Sequence, residues 1–234
     1  MRPLIGITTS LAEPQEGGCR QVVDWHYVDA VERAGGCPLL LPMTSKAETL
    51  EPLLARIAGL VITGGPGIVE GLIGRLPQDL LPVEPLRSRA DAWTFGTARA
   101  QGKPVLGICY GMQFINARCG GALYADVQAQ LGTGPHSPAR NQGAEVWHPL
   151  EIVPGSRLAA LAGTERAQVN SFHIQAVERV GAGLRISARS ADGLVEGLES
   201  EDGGIMGVQF HPERMPGTVW ERLFADLVER AAGP

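Results

Sequence analysis

Short apolar runs recur through the first half of the chain at 3–8, 39–41, 59–63 and 104–108, with longer amphipathic stretches between them. Runs this short that do not alternate with polar residues predict strands buried on both faces. The intervening stretches at 25–34, 46–57 and 87–100 return apolar and small residues at helical spacing, and Gly35-Gly36 and Gly102 supply stops. Strands alternating with helices predict a doubly wound, mostly parallel α/β sheet flanked by helices. Beyond Gly120-Gly121 the rhythm changes. Strands are expected at 145–153, 184–190, 194–198 and 205–210, more antiparallel in character, and then a closing helix from 218 to about 231. Two Gly- and Pro-rich stretches, 64–85 and 132–143, exceed ordinary connections and read as candidate active-site loops.

The run Lys103-Pro-Val-Leu-Gly-Ile-Cys-Tyr-Gly-Met-Gln113 changes this picture from architecture to chemistry. A buried strand ends at Cys109, Gly107 and Gly111 flank it, and a helix follows at once. That is the layout of a nucleophile elbow, whose tight strand-to-helix turn tolerates only small residues two before and two after the nucleophile. The turn also sets the sulfur at a helix amino end, where the dipole favours the reactive thiolate, and it aims the Tyr110 N–H at any oxyanion formed there. A buried structural cysteine in a tight turn fits the same residues, so the motif needs a partner base. Gly207-Val-Gln-Phe-His-Pro-Glu213 supplies one: His211 and Glu213 fall just past a strand end, where α/β enzymes place catalytic groups. Cys109, His211 and Glu213 then make up a nucleophile, a base and an orienting acid.

Composition narrows the function classes. The 234 residues are 44% hydrophobic and 19% charged with a formal net charge of −5, a globular profile for which one domain over 1–234 is the default. Lys and Arg form no basic run, so no nucleic-acid partner is expected. No apolar stretch reaches membrane-spanning length and the start reads as a strand rather than a signal peptide, so a cytoplasmic location without a membrane partner is expected. The cysteines at 19, 37, 109 and 119 have no CxxC spacing, which argues against disulfides and a cysteine zinc site. His26, His136 and His148 stand apart in the sequence without ligand spacing. No metal and no cofactor are predicted.

Gly107-Ile-Cys-Tyr-Gly-Met-Gln113 together with Phe210-His-Pro-Glu213 resembles the paired signature of class I glutamine amidotransferase domains. Pro3-Leu-Ile-Gly-Ile-Thr-Thr9, Tyr27-Val-Asp-Ala-Val31 with Ala34-Gly-Gly36, and Gly120-Gly-Ala-Leu-Tyr124 resemble the γ-glutamyl-GABA hydrolase branch, of peptidase C26 type, across nearly the whole chain. The resemblance implies hydrolysis of a small γ-glutamyl amine through a γ-glutamyl thioester, without a cofactor. By position it also implies an oxyanion hole from the N–H groups of Gly65 and Tyr110, and a glutamyl pocket lined by Gln113, Ser171, Phe172 and His173. Ile174 stands where the branch would carry a second histidine. The partner so implied is a small γ-glutamyl molecule, with a homodimer as one expectation. Two other readings share the residues or the fold: a glutaminase subunit delivering ammonia to a synthase, and a non-catalytic γ-glutamyl-metabolite binder.

Overall fold

The computed structural model describes residues 2–12 and 18–233. In chain order the first elements are β1 Leu4–Thr8, the short pair β2 Ser10–Leu11 and β3 Gln21–Val22, α1 Trp25–Arg33, β4 Cys37–Leu41, α2 Ala47–Leu54 and β5 Gly59–Ile62. There follow β6 Leu72–Ile73, α3 Pro85–Ala100, β7 Val105–Ile108, α4 Tyr110–Arg118, β8 Ala122–Tyr124 and α5 Val127–Leu131. The second half comprises β9 Trp147–Ile152, α6 Arg157–Ala162, β10 Arg166–Asn170, β11 Ala176–Arg179, β12 Leu184–Ser190, β13 Val195–Ser200, β14 Ile205–Val208 and α7 Arg222–Ala232.

One sheet runs β10-β9-β12-β13-β14-β7-β5-β1-β4, and β11, β8 and β6 branch from it. The segment β14-β7-β5-β1-β4 is parallel, whereas β13, β12, β9 and β10 join antiparallel. The expected parallel half and antiparallel half are both present in this α/β fold. Helices cover both faces. Tyr27 and Val31 of α1, Leu158 of α6 and Phe224 and Leu227 of α7 bury against one face, while Leu50, Leu54, Phe95, Phe114 and Ile115 of α2, α3 and α4 bury against the other. In α7 the buried positions Leu223, Phe224, Leu227 and Val228 repeat at helical spacing, which is why this segment is a helix packed on the sheet.

Several expectations shift in detail. β4 begins at Cys37 and is the edge of the sheet, only partly buried along its length, which a short apolar run cannot distinguish from a central strand. The closing helix starts at Arg222 after a 3-10 turn at Val219–Glu221. β6, β8, β10, β11, α5 and α6 were not anticipated; most are short, and β10 in Arg-Ala-Gln-Val-Asn carries too few apolar residues to stand out. Among the described residues no helix is long and apolar enough to cross a membrane, and all four cysteines are free.

Register places the site. Gly207 and Val208 of β14 pair with Gly107 and Ile108 of β7, and Ile62 of β5 pairs with Gly107 from the other side. Three neighbouring parallel strands therefore end together, and the residues just past them, Gly64-Gly65, Cys109 and His211, meet at one edge of the sheet.

Candidate active site

Cys109 lies between β7 and α4 with φ 51° and ψ −103°, a backbone conformation rare for any residue with a Cβ. Its N–H donates to the Val208 carbonyl at 2.8 Å, tying the elbow to β14. The flanking glycines are required by contact. A Cβ on Gly111 would run into the Ile62 carbonyl oxygen, and one on Gly107 would lie 2.8 Å from the Gly111 carbonyl. Tyr110 opens α4, so its N–H has no acceptor within the helix.

His211 and Glu213 are arranged by β14 and the 3-10 turn that follows at Pro212–Arg214. His211 Nδ1 donates to Glu213 Oε1 at 2.6 Å, and the Glu213 carboxylate is buried. Asn170 clamps the histidine backbone, accepting from its N–H at 2.8 Å and donating to its carbonyl at 3.0 Å. The Phe172 ring meets the imidazole edge-on at 5.3 Å between centroids. Burial alone would push the imidazole down, but Glu213 and then Cys109 act the other way and carry it up to about 10. At neutral pH this histidine therefore holds a proton. Cys109 acts on this side chain as the second raising influence after Glu213.

The cleft is lined by Cys109, Gly65, Gln113, Phe172 and His173, together with Pro66, Gly67, Leu80, Ile174 and Gln175. Eight of the nine residues singled out in the sequence thus converge here or adjoin it. Ser171 is the exception: fully buried, it donates to the His136 carbonyl at 2.8 Å and does not line the cleft. Gln113 is committed to the wall, donating to the Gln175 carbonyl at 2.8 Å and to Gln209 Oε1 at 3.0 Å. Gln175 in turn accepts from the Ile68 N–H at 2.7 Å and donates to the Ile68 carbonyl at 2.9 Å, fastening the 64–85 loop to the wall opposite.

Three residues at the site carried little sequence signal. Tyr27, on the expected helix at 25–34, is buried in the core and also accepts from the Gly64 N–H at 2.8 Å; burial and then Glu213 hold its hydroxyl well above its ordinary range, hence neutral. Arg87 is only 1% exposed and holds the Thr63-Gly64 backbone past the end of β5. Its Nη2 donates to Thr63 O and Oγ1, both at 3.1 Å, and to Gly64 O at 3.0 Å, and its Nη1 donates to Ser10. The guanidinium also lies 4.1 Å from the Tyr110 ring centroid and pairs with Asp91 through Nε at 3.2 Å. The i, i+4 spacing of Arg87 and Asp91 in α3 was the available clue, and on an exposed face it would have meant little. Buried, it means much. Arg87→Met is expected to cost about 3–5 kcal/mol, because Asp91 is left charged and unpaired, and Arg87→Met with Asp91→Leu should recover part of that; urea unfolding of both variants measures it.

The peptidase C26 family profile matches residues 3–213. The chain belongs to the peptidase C26 family. A Mycobacterium tuberculosis protein carrying a provisional glutamine amidotransferase name is 35% identical over 240 residues, covering 99% of this peptidase C26 chain and 76% of its own. The gamma-glutamyl-gamma-aminobutyrate hydrolase of Escherichia coli K12 is 30% identical over 219 residues, covering 90% and 85% of the two chains. A solved Thermoplasma acidophilum structure, described provisionally as a GMP synthase component, superposes with a TM-score of 0.67 at 17% identity over 99% of this chain and 95% of that one, a likeness of fold. As a peptidase C26 protein the chain is a hydrolase of the glutamine amidotransferase-like class.

Proposed function

We propose that this protein hydrolyses the γ-glutamyl amide bond of a small γ-glutamyl amine through Cys109, His211 and Glu213. The observation that carries the reading is one arrangement: a cysteine on a positive-φ elbow, coupled to an imidazole that is itself bonded to a buried carboxylate at 2.6 Å. The Cys109 thiolate attacks the γ-carbonyl and a C–S bond forms. The N–H groups of Tyr110 and Gly65 hold the oxyanion as it develops. The C–N bond breaks as His211 passes its proton to the amine, leaving a γ-glutamyl thioester. Water then gives a proton to His211 and its hydroxyl to the acyl carbon, releasing glutamate and restoring the thiolate–imidazolium pair. Phe172 and His173, with Gln113 behind them, shape the wall for the glutamyl group.

The similarity to a gamma-glutamyl-gamma-aminobutyrate hydrolase favours an amine such as γ-aminobutyrate over ammonia. Glutamate release from γ-glutamyl-GABA, related γ-glutamyl amines and glutamine, measured on the isolated chain, tests this. Turnover of a γ-glutamyl amine well above glutamine is expected. Turnover of glutamine alone, rising only with an added synthase, would replace the proposal with a glutaminase that serves a synthase.

A further inference from the structure

The sequence places His136, His148 and His173 far apart, but the fold does not. His136 precedes the 3-10 turn at Pro138–Arg140, His148 lies on β9, His173 lies between β10 and β11, and Glu196 lies on β13. One ligand atom from each of these four falls within 4.8 Å of the others. His136 and His148 are therefore not the isolated histidines that their spacing suggested.

The hydrogen bonding around the cluster fixes which nitrogens face inward. His136 Nε2 donates to Asp192 Oδ2 at 2.8 Å, His173 Nδ1 to the Gln175 carbonyl at 2.9 Å, and His148 Nδ1 to the Pro149 carbonyl at 3.2 Å. Each outer nitrogen thus carries the proton, which leaves a lone pair on each inner one. The inner nitrogens His173 Nε2, His148 Nε2 and His136 Nδ1 lie 3.2, 3.6 and 3.9 Å from Glu196 Oε1. Glu196 is fully buried, and neither of its carboxylate oxygens has a hydrogen-bond partner among the described residues. His148 Nε2 and His173 Nε2 are also unpartnered. Ser171, 3.3 Å from His136 Nδ1, spends its one proton on the His136 carbonyl at 2.8 Å.

Four acceptors that converge in a buried space with no donor between them leave a charge and its lone pairs uncompensated, which is costly unless a cation sits there. A proton on one histidine would serve one acceptor pair and leave the others as they are. A metal ion would serve all four. Zinc holds imidazole nitrogen and carboxylate oxygen at about 2.0–2.2 Å in a tetrahedron, which sets neighbouring ligand atoms roughly 3.3–3.5 Å apart. The separations to Glu196 straddle that range. Outer nitrogens bonded to a carboxylate or carbonyl are also what metal-bound histidines show. We propose that His136, His148, His173 and Glu196 form a structural zinc site, with Asp192 orienting His136.

Three imidazoles and one carboxylate suit zinc, and a set of four protein ligands leaves no open position for catalysis. The ion would bind the loop before β9, β9 itself, the β10–β11 loop and β13 into one unit. Phe172, against His211, and Ile174 and Gln175, in the cleft wall, ride on that loop. The site thus braces one side of the active-site cleft without touching the reacting atoms.

Elemental analysis of the untagged chain, followed by titration of chelator-stripped, folded protein with zinc chloride, tests the proposal independently of any activity. About one zinc per chain, a Tm that rises with zinc concentration, and tetrahedral d–d absorption on cobalt replacement are expected. Glu196→Gln and, at the less buried rim, His148→Gln should lose stoichiometric binding while circular dichroism shows both folded. Asp192→Asn should weaken binding about 10- to 100-fold. Folded wild-type chain that takes up no zinc, or folded Glu196→Gln and His148→Gln that both bind like the wild type, would overturn the site.

Discussion

Replacing Cys109 by alanine is expected to reduce turnover of the proposed γ-glutamyl substrate by roughly 10^5- to 10^6-fold, the scale seen when a hydrolase triad loses its nucleophile. No other cysteine is placed to take over. Cys119 is half-buried near Arg99, with its thiol pushed up chiefly by burial, and Cys19 and Cys37 are exposed on other segments. The loss should not come from unfolding, because the elbow is held by the bond from the Cys109 N–H to Val208 and by glycine contacts that an alanine at 109 leaves alone. A φ of 51° also makes a stability prediction. Cys109→Gly should be more stable than Cys109→Ala by about 1 kcal/mol, since glycine accepts this backbone without strain. Denaturant midpoints of the two inactive variants measure that difference. Equal stability would mean that the elbow is not strained.

The second large effect is expected at Glu213. Glu213→Gln keeps the shape of the side chain but takes away the charge that holds a proton on His211, and kcat should fall by about 10^4-fold, the scale for an orienting acid. Stability should respond to pH as well. The His211 pKa is raised to about 10 from an ordinary 6.5, so the stability it contributes is complete below about 6.5 and is lost as pH rises toward 10. In the glutamine variant the largest raising influence is gone, so the pKa of His211 lies lower than in the wild type. The wild type should therefore exceed the variant most clearly at and below neutral pH, and the gap should narrow as pH climbs through that window. A constant gap across it would show that His211 and Glu213 do not form a charged pair.

The proposed triad was legible because its chemistry is local. A strand, a cysteine between two glycines and a helix occupy adjacent positions, and His211 and Glu213 follow a recognisable strand end. The parallel half of the fold was legible for the same reason: its apolar runs are continuous. What spacing could not show is convergence. Arg87 reaches Ser10, Thr63 and Gly64 from elsewhere in the chain, and its meaning depends on burial. His136, His148 and His173 meet only because the antiparallel half of the sheet brings four separate segments to Glu196. Ser171 was expected in the glutamyl pocket, yet its hydroxyl donates to the His136 carbonyl while Phe172 lines the cleft.

The most direct test of the account is to catch the acyl group on the enzyme. Wild-type protein mixed with a chromogenic γ-glutamyl anilide and quenched in acid within the first turnover should show a burst of anilide release. Intact-mass analysis should then find one added γ-glutamyl group, located by peptide mapping on Cys109, and none in Cys109→Ala. A chain that releases glutamate with no burst and no adduct, or that carries the adduct on Cys19 or Cys37, would contradict it.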